Sequence, residues 1–564
     1  MFAIGRRPAT RQQVEADVRG IATSLDYPVI PLYEFLVRQA AAHPESTALL
    51  FYGQSTSYRS LFLQAKALAG ALAKLGVRKG DRVAIVLPNC PQAVASYYGV
   101  LWAGAIVVMC NPLYTAKELQ TQFRDSGARV VIGLDRFYST IAAAARETEV
   151  EKIALTSIAE ALPLTLRPFY YLKDGREVKK ATWRDDSRVV MYRELLTSPP
   201  LENPVSVNPK EDLAALQYTG GTTGIPKGAM LSHYNLVANA VQIGARVPPL
   251  SQKPPTILGV LPFFHAYGMS VVMNYAVMTG ARMVLLPRFQ VQAVLRAIQR
   301  HRPQLFPGVP AIYVAINNYP KVHKYNLSSI ECCVSGAAAL PSSVQQAFER
   351  LTGGRLVEGY GLSEASPVTH INRFDAMQKP GSIGQPLANT ECRIVHLETG
   401  EPLPPGEAGE LLIRGPQVMK GYWNQPEETA AVLEDGWLFT GDVARMDADG
   451  FFYIVDRKKE MIIVSGHNVY PREVEEALYQ HPAVKEAAAI GIPDALRGEV
   501  PKAFVVLKED APKPTDQDLI AWCLQTLAPY KAPKQVDFVA ELPKSLIGKV
   551  LRRKLAEQER TPAG

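Results

Sequence analysis

The residues from Tyr218 to Gly228, YTGGTTGIPKG, place four glycines, three threonines and one lysine in eleven positions, directly after the apolar run LAALQ. Glycines let backbone N–H groups approach phosphate oxygens, threonine hydroxyls add donors, and a lysine adds charge. Such a loop suggests phosphate binding, and a plain surface turn is the alternative. The Walker A pattern G-x-x-x-x-G-K-[ST] does not fit, because Pro226 precedes Lys227 and Gly228 stands where a magnesium-binding hydroxyl belongs. An ordinary kinase or ATPase phosphate loop is therefore not expected, and the loop needs companions.

They follow in a fixed order: LPFFHAYGM, GVP, SGAAAL, EGYGLSEASP, GSIGQPL, GELLIRGPQVMKGYW, GWLFTGDV, DRKKEMIIVSGHNVYPREVE and LPKSLIGKVLRRKL. With the loop itself these motifs resemble the AMP-forming acyl-CoA synthetases, whose superfamily includes nonribosomal adenylation domains and luciferases. The resemblance runs from about Pro31 to Leu555. Within that superfamily the chain looks most like bacterial long-chain fatty acid:CoA ligases.

The resemblance implies two half-reactions. A carboxylate attacks the α-phosphate of Mg·ATP to give an acyl adenylate and pyrophosphate, and the thiol of coenzyme A then displaces AMP. Bringing two anions together requires charge neutralisation by side chains and Mg²⁺. Lys549 in SLIGKVLRR matches the lysine that bridges the carboxylate and α-phosphate oxygens; alone it would read as a solvated lysine in a basic tail. Glu364 matches the magnesium ligand and Thr219 its hydroxyl partner, a hard oxygen pair suited to a cation that keeps several waters. Gly220, Gly221, Thr222, Thr223 and Gly224 form the clamp on the β and γ phosphates, with Lys227 auxiliary. Ser363 supplies the α-phosphate hydroxyl where the family often has threonine.

Tyr360 is expected to stack on adenine, with the backbone of Gly336, Ala337, Glu358 and Gly359 around the base. Asp442 can accept hydrogen bonds from both ribose hydroxyls, and Arg457 matches the arginine that joins it. Lys459 falls at the family's hinge, about which a small domain swings between half-reactions so that a lysine can be withdrawn and a thiol path opened. Ser465, Gly466 and His467 would then face the pantetheine path. His265 matches a gate at the carboxylate and thiol entrance, against the alternative of a satisfied core histidine.

Three features bear on the acid. FFHAYGM offers no acidic partner for an α-ammonium, and a buried ammonium without one is costly, so amino acids are disfavoured. Gly361 stands where acetate-activating relatives carry a pocket-closing tryptophan; with Ala338 and Ala339 nearby, an apolar tunnel is expected there. Each buried methylene contributes about 0.8 kcal/mol, which favours medium or long acyl chains. The chain stops at Gly564, soon after the terminal motif, so a diffusible thiol, coenzyme A, is the expected acceptor. An aryl-CoA ligase of the coumarate type is the alternative enzyme, and a non-catalytic fatty-acid or nucleotide-binding relative the alternative class.

These residues need a scaffold. From about Pro31, amphipathic helical stretches such as LFLQAKALAGALAKLG alternate with β-rich runs such as DRVAIVLP, ARVVIGL and ARMVLLP, the rhythm of βαβ units around largely parallel sheets. A β subdomain then leads to GWLFTGDVARMDADGFFYIV, where DADG reads as a hairpin turn. The charged knot DRKKE marks the boundary to a compact α+β domain with helices REVEEALYQ and TDQDLIAWCLQTL and strands AAAIGIP and AFVVLK. The expected division is an AMP-binding domain over 1–456, a hinge over 457–462 and a C-terminal domain over 463–564.

A chain of 564 residues exceeds one core, and its 47% apolar and 20% charged content suits a globular protein. The net charge of +7, from 61 basic and 54 acidic residues, fits an anionic ligand or membrane surface and not a nucleic-acid platform. The six cysteines show no metal-ligand spacing, so a reducing compartment without structural metal is the default. MFAIGRRPATRQQVEADVRG has no apolar run of secretory-signal length. Tyr97–Cys110 is too short to span a bilayer, and Pro262, His265 and Asn274 interrupt the longer run around LPFFHAYGM. Residues 162–188 mix prolines and aromatics, with five basic residues against two acids from Arg167 to Lys180. That stretch reads as a solvated excursion or as a contact with an anionic membrane surface. A cytoplasmic location with reversible contact at the inner membrane face, and a monomer or homodimer, are the expectations.

Overall fold

The computed structural model describes residues 15–16, 22–170, 172, 183–219, 226–494, 496–508, 511–544 and 550–560. The fold is α/β. Seven strands form its first sheet, in the order Lys227–Ser232, Leu213–Thr219, Ile106–Met109, Arg82–Val86, Ala128–Leu134, Lys152–Thr156 and Val189–Met191. All neighbours run parallel except the edge strand Lys227–Ser232, which returns antiparallel on Leu213–Thr219. Alternation of side chains puts Val83 and Ile85 into one core and Ala84 and Val86 into another, so the sheet is covered on both faces.

The helices that cover it start where the sequence supplies caps. Ser57 Oγ accepts the Ser60 N–H at the head of Tyr58–Lys74. Thr115 and Glu118 form a capping box on Ala116–Ser126, which ends at left-handed Gly127.

A second group of parallel strands comprises Thr256–Gly259, Arg282–Leu285 and Thr47–Phe51, continued through single bridges at Leu305 to Cys332–Ser335 and Arg355–Gly361. The third sheet is antiparallel and contains Ala408–Arg414, Trp437–Met446 and Phe452–Arg457. The DADG turn joins its last two strands as the sequence indicates, with Asp447 Oδ1 accepting the N–H groups of Asp449 and Phe451.

A small domain follows a large N-terminal one. Its sheet pairs the long strands Val484–Asp494 and Gly498–Leu507, flanked by the hairpin Ile462–Val464/His467–Val469 and by Gln535–Phe538. Helices Pro471–Tyr479 and Asp516–Leu524 cover one face, while Leu542 and Leu555, the latter on helix Arg552–Arg560, cover the other. These two cores are separate from those of the large domain. Among the described residues no helix is long and apolar enough to cross a membrane. The two apolar runs singled out in the sequence are instead helix Pro91–Trp102 with strand Ile106–Met109, and strand Thr256–Gly259 with helical Gly268–Thr279.

Candidate active site

The glycine-rich loop closes the hairpin between Leu213–Thr219 and Lys227–Ser232, where Thr219 and Lys227 are the last paired residues. Gly220, Gly221, Thr222, Thr223 and Gly224 lie outside the described residues, as does Lys549. The stem is firmly built. Gly228 packs under the Tyr218 ring, and the Tyr218 hydroxyl donates to Asp125 Oδ2 at 2.5 Å. From the far side, Met230 donates to the Gly421 carbonyl and Trp423 to that of Gly228.

Lys227 is ion-paired with Glu428, and its ammonium lies 5.1 Å from the centroid of the Tyr422 ring. The Lys227 charge, joined by that of Lys459, holds the Glu428 carboxyl below its ordinary range. Tyr422 also donates its hydroxyl to Glu364 Oε1 at 2.8 Å. Sequence reasoning assigned no role to Tyr422 or Glu428. The motif KGYW was visible, but its contacts with residues nearly sixty or two hundred positions away leave no mark on local patterning.

Glu364 sits in the short helical turn Ser363–Ala365, which packs against both strands of the loop stem. A carboxylate with one oxygen steadied by a tyrosine, beside a stem ending in a threonine hydroxyl, is a donor set suited to Mg²⁺. Among the described residues no group of three His, Cys, Asp or Glu gathers into a metal site, so a cation here would take few protein ligands.

The end expected from the sequence to take adenosine is assembled from three strands. Tyr360, on Arg355–Gly361, donates its hydroxyl to Asp442 Oδ2 at 2.5 Å. Arg457, paired in register with Asp442 on the next strand, places Nε 2.9 Å from Oδ1. Asp442 is 3% exposed, so both its oxygens are engaged in a nearly dry setting. Burial, and then the Asp442 charge, push the Tyr360 hydroxyl well above its ordinary range, so it stays a donor. Gly336 and left-handed Ala337 follow strand Cys332–Ser335, the parallel neighbour of the strand carrying Glu358 and Gly359. Glu358 is buried with Oε2 unpartnered; burial raises its carboxyl to about 7, against the lowering effect of the Arg472 charge.

The end expected to take the acyl chain is different. His265 is half-buried and its Nδ1 accepts the Tyr267 N–H at 3.2 Å, which leaves Nε2 to carry the proton of the neutral ring. His265, Leu261, Pro262, Tyr267, Gly268, Val309 and Ala337 close on a crevice with no room for a water molecule.

A Cβ on Gly361 would strike the Pro367 carbonyl oxygen, so the missing side chain permits a close backbone approach. Ala338 and Ala339 are exposed. At Gly336 a Cβ would come 3.1 Å from the Tyr267 ring.

Lys459 is exposed in the turn Lys458–Glu460. Ser465 and Gly466 both have positive φ, 50° and 82°, and form the two-residue turn of a hairpin with His467 beside it. All three are exposed, and the His467 ring lies 4.9 Å from that of Tyr530.

A parallel-sheet domain with a glycine-rich loop stem, a Tyr–Asp–Arg cluster and a small appended domain defines a class, and the comparisons agree. Residues 36–423 match the family model of the AMP-binding enzyme, and residues 473–549 that of the AMP-binding enzyme C-terminal domain. The chain belongs to the AMP-binding enzyme family, as an adenylate-forming acyl-CoA synthetase. It is 49% identical over 546 residues to a long-chain-fatty-acid–CoA ligase of Bacillus subtilis (strain 168), covering 96% of each chain. A feruloyl-CoA synthase of an Amycolatopsis species is 37% identical over 518 residues, covering 92% of this chain and 96% of the relative. ATP-bound MatB from Rhodopseudomonas palustris superposes with a TM-score of 0.82 at 28% identity, covering 94% of this chain and 99% of MatB. The apo form of the same protein gives 0.73 at the same identity and coverage.

Proposed function

We propose that the chain activates a medium- to long-chain fatty acid with ATP, forming acyl-AMP and pyrophosphate, and transfers the acyl group to coenzyme A with release of AMP. The observation that carries this reading is the 49% identity, end to end, with a long-chain-fatty-acid–CoA ligase. An aryl acid such as coumarate is the second reading, favoured by the likeness to feruloyl-CoA synthase at the lower identity of 37%.

The residues take these roles. Thr219 and Glu364 would hold Mg²⁺, which would supply charge neutralisation for the departing pyrophosphate. Residues 219–224 and Lys227 cradle the β and γ phosphates, Ser363 meets the α-phosphate, and Lys549 bridges it to the substrate carboxylate. Gly336, Ala337, Glu358, Gly359 and Tyr360 surround the base, while Asp442, steadied by Arg457, meets the ribose. His265 guards the acyl and thiol entrance. Lys459 is the pivot, and Ser465, Gly466 and His467 line the coenzyme A path after rotation. The division into 1–456, 457–462 and 463–564 is part of this reading. Palmitate, ATP and coenzyme A should yield palmitoyl-CoA, AMP and pyrophosphate in equal amounts; ADP and orthophosphate as products would contradict it.

The proposal extends to a cytoplasmic monomer or homodimer with reversible contact at an anionic membrane surface. Leu164, Leu166, Phe169 and Leu172 are exposed large apolar side chains in a stretch rich in lysine and arginine, a combination suited to a lipid interface. The rest of that stretch, 171 and 173–182, lies outside the described residues. Deleting Leu166–Trp183 should abolish binding to anionic liposomes, and unchanged binding would remove this part.

A further inference from the structure

Strand Phe452–Arg457 serves two sites at once. Its alternation sends Arg457 to Asp442, while the preceding Asp456 is buried. Asp456 Oδ2 accepts the backbone N–H of Arg472 at 2.7 Å, at the start of small-domain helix Pro471–Tyr479, and Oδ1 accepts that of Arg457 at 2.8 Å. The Arg472 guanidinium reinforces the junction by donating to the Ile454 carbonyl of the same strand, at 2.7 Å.

The third party is Arg552. Its Nε and Nη2 grip Glu475 in a bidentate pair, 3.0 and 2.7 Å to Oε1 and Oε2, entirely within the small domain. Its Nη1 reaches out of that domain, to Glu460 in the hinge turn and to Asp456 Oδ1 at 3.5 Å. Arg552 stands three residues after Lys549. Directly before Arg552, Val550 bridges to Lys544 and Leu551 donates to the Pro543 carbonyl at 2.8 Å. One guanidinium thus connects the anchor of the Lys549 segment, a small-domain helix, the hinge turn and a strand of the nucleotide site.

We propose that Arg552 is a positioning residue for adenylation: clasped to Asp456 and Glu460, it holds the small domain in the orientation that serves the first half-reaction, and the clasp opens for the second. Rotation about Lys459 carries Arg552 and Glu475 together but leaves Asp456 with the large domain, so the Glu475 pair survives and the Asp456 contact cannot. The inference rests on the two-step reading of the site and on Lys549 as the adenylation lysine.

The test separates the half-reactions in the full-length enzyme. Pyrophosphate exchange with palmitate reports adenylation, and transfer from supplied palmitoyl adenylate to coenzyme A reports the second step. Asp456→Asn and Arg552→Gln should each lower exchange about tenfold or more, with the ATP KM within about threefold and the transfer rate kept. The double variant should be no worse than Arg552→Gln, and Arg552→Lys, which keeps the charge without the fork, should recover part of the loss. Normal exchange in Asp456→Asn, equal loss of both steps, or multiplying losses would each overturn the clasp. Asp456→Asn leaves the small domain's own Arg552–Glu475 pair intact, so it decides the matter if Arg552→Gln does not fold. Lys549→Ala is the control: if it retains exchange, the adenylation reading fails and the clasp with it, whereas loss in Lys549→Ala beside normal exchange in Asp456→Asn rejects the clasp alone.

Discussion

The ends proposed for adenosine and for the acyl chain differ in how much is built before substrate arrives. At the adenosine end, Tyr360, Asp442 and Arg457 are already bonded to one another on three strands in fixed register. At the proposed acyl end, His265 and Tyr267 border a crevice with no room for a water molecule. A nucleotide is the same in every turnover and rewards a rigid, preorganised polar cluster. An acyl chain is flexible and is held by area, at about 25 cal/mol per Å², so its walls can part as it enters. On this reading nucleotide recognition and acid specificity are carried by different physics and should break separately.

The largest effect should come from Lys549→Ala, which removes the charge between carboxylate and α-phosphate. Pyrophosphate exchange should fall by about a thousandfold or more, while transfer from supplied acyl adenylate survives. Asp442→Asn comes next: the ion pair with Arg457 is lost in a nearly dry setting, and kcat/KM for ATP should fall by about a hundredfold with chain-length preference unchanged. A change in acid preference would show that the two ends are not separable.

Gly361→Ala discriminates between packing and pocket depth. The new methyl meets the Pro367 backbone, so the variant should lose about 1–3 kcal/mol of stability, seen in denaturant melts, and should use short and long acids in the wild-type ratio. Selective loss of long acids would restore Gly361 to the acyl pocket.

The smallest effect concerns Glu358. Its carboxyl titrates at about 7 in the fold against 4.5 when unfolded, so the folded chain keeps a proton that the unfolded chain releases. The stability from this group is full below about pH 4.5 and is lost as pH rises through about 7. Glu358→Gln should therefore gain in melting temperature relative to wild type between pH 4.5 and about pH 8, and a gap that stays constant with pH would contradict the assignment.

Much of the scaffold is legible in the sequence because its signals are local. ARVVIGL is the strand Ala128–Leu134, and all but the last two residues of LFLQAKALAGALAKLG fall within the helix Tyr58–Lys74. AAAIGIP and all but the last residue of AFVVLK, short runs by eye, are parts of strands of 11 and 10 residues, because the neighbouring polar and proline residues still pair across the hairpin. Of the residues proposed for the nucleotide, Asp442 stands beside Tyr360 and Arg457.

What escapes the sequence is pairing between distant positions. Tyr422 on Glu364, Glu428 on Lys227 and Arg552 on Asp456 join positions from 58 to 201 residues apart, and no periodicity announces them. A glycine's purpose is equally hidden. Gly361 and Gly336 look alike in a string, yet one yields to a carbonyl oxygen and the other to an aromatic ring.

The central claim, a nucleotide site coupled to a fatty-acid pocket, is tested most directly by pyrophosphate release across acids from acetate to oleate, with coumarate alongside. Release should rise with chain length into the long-chain acids and be weak with acetate and coumarate. Release confined to coumarate would move the chain to the aryl ligases, and no release with any acid would contradict the account altogether.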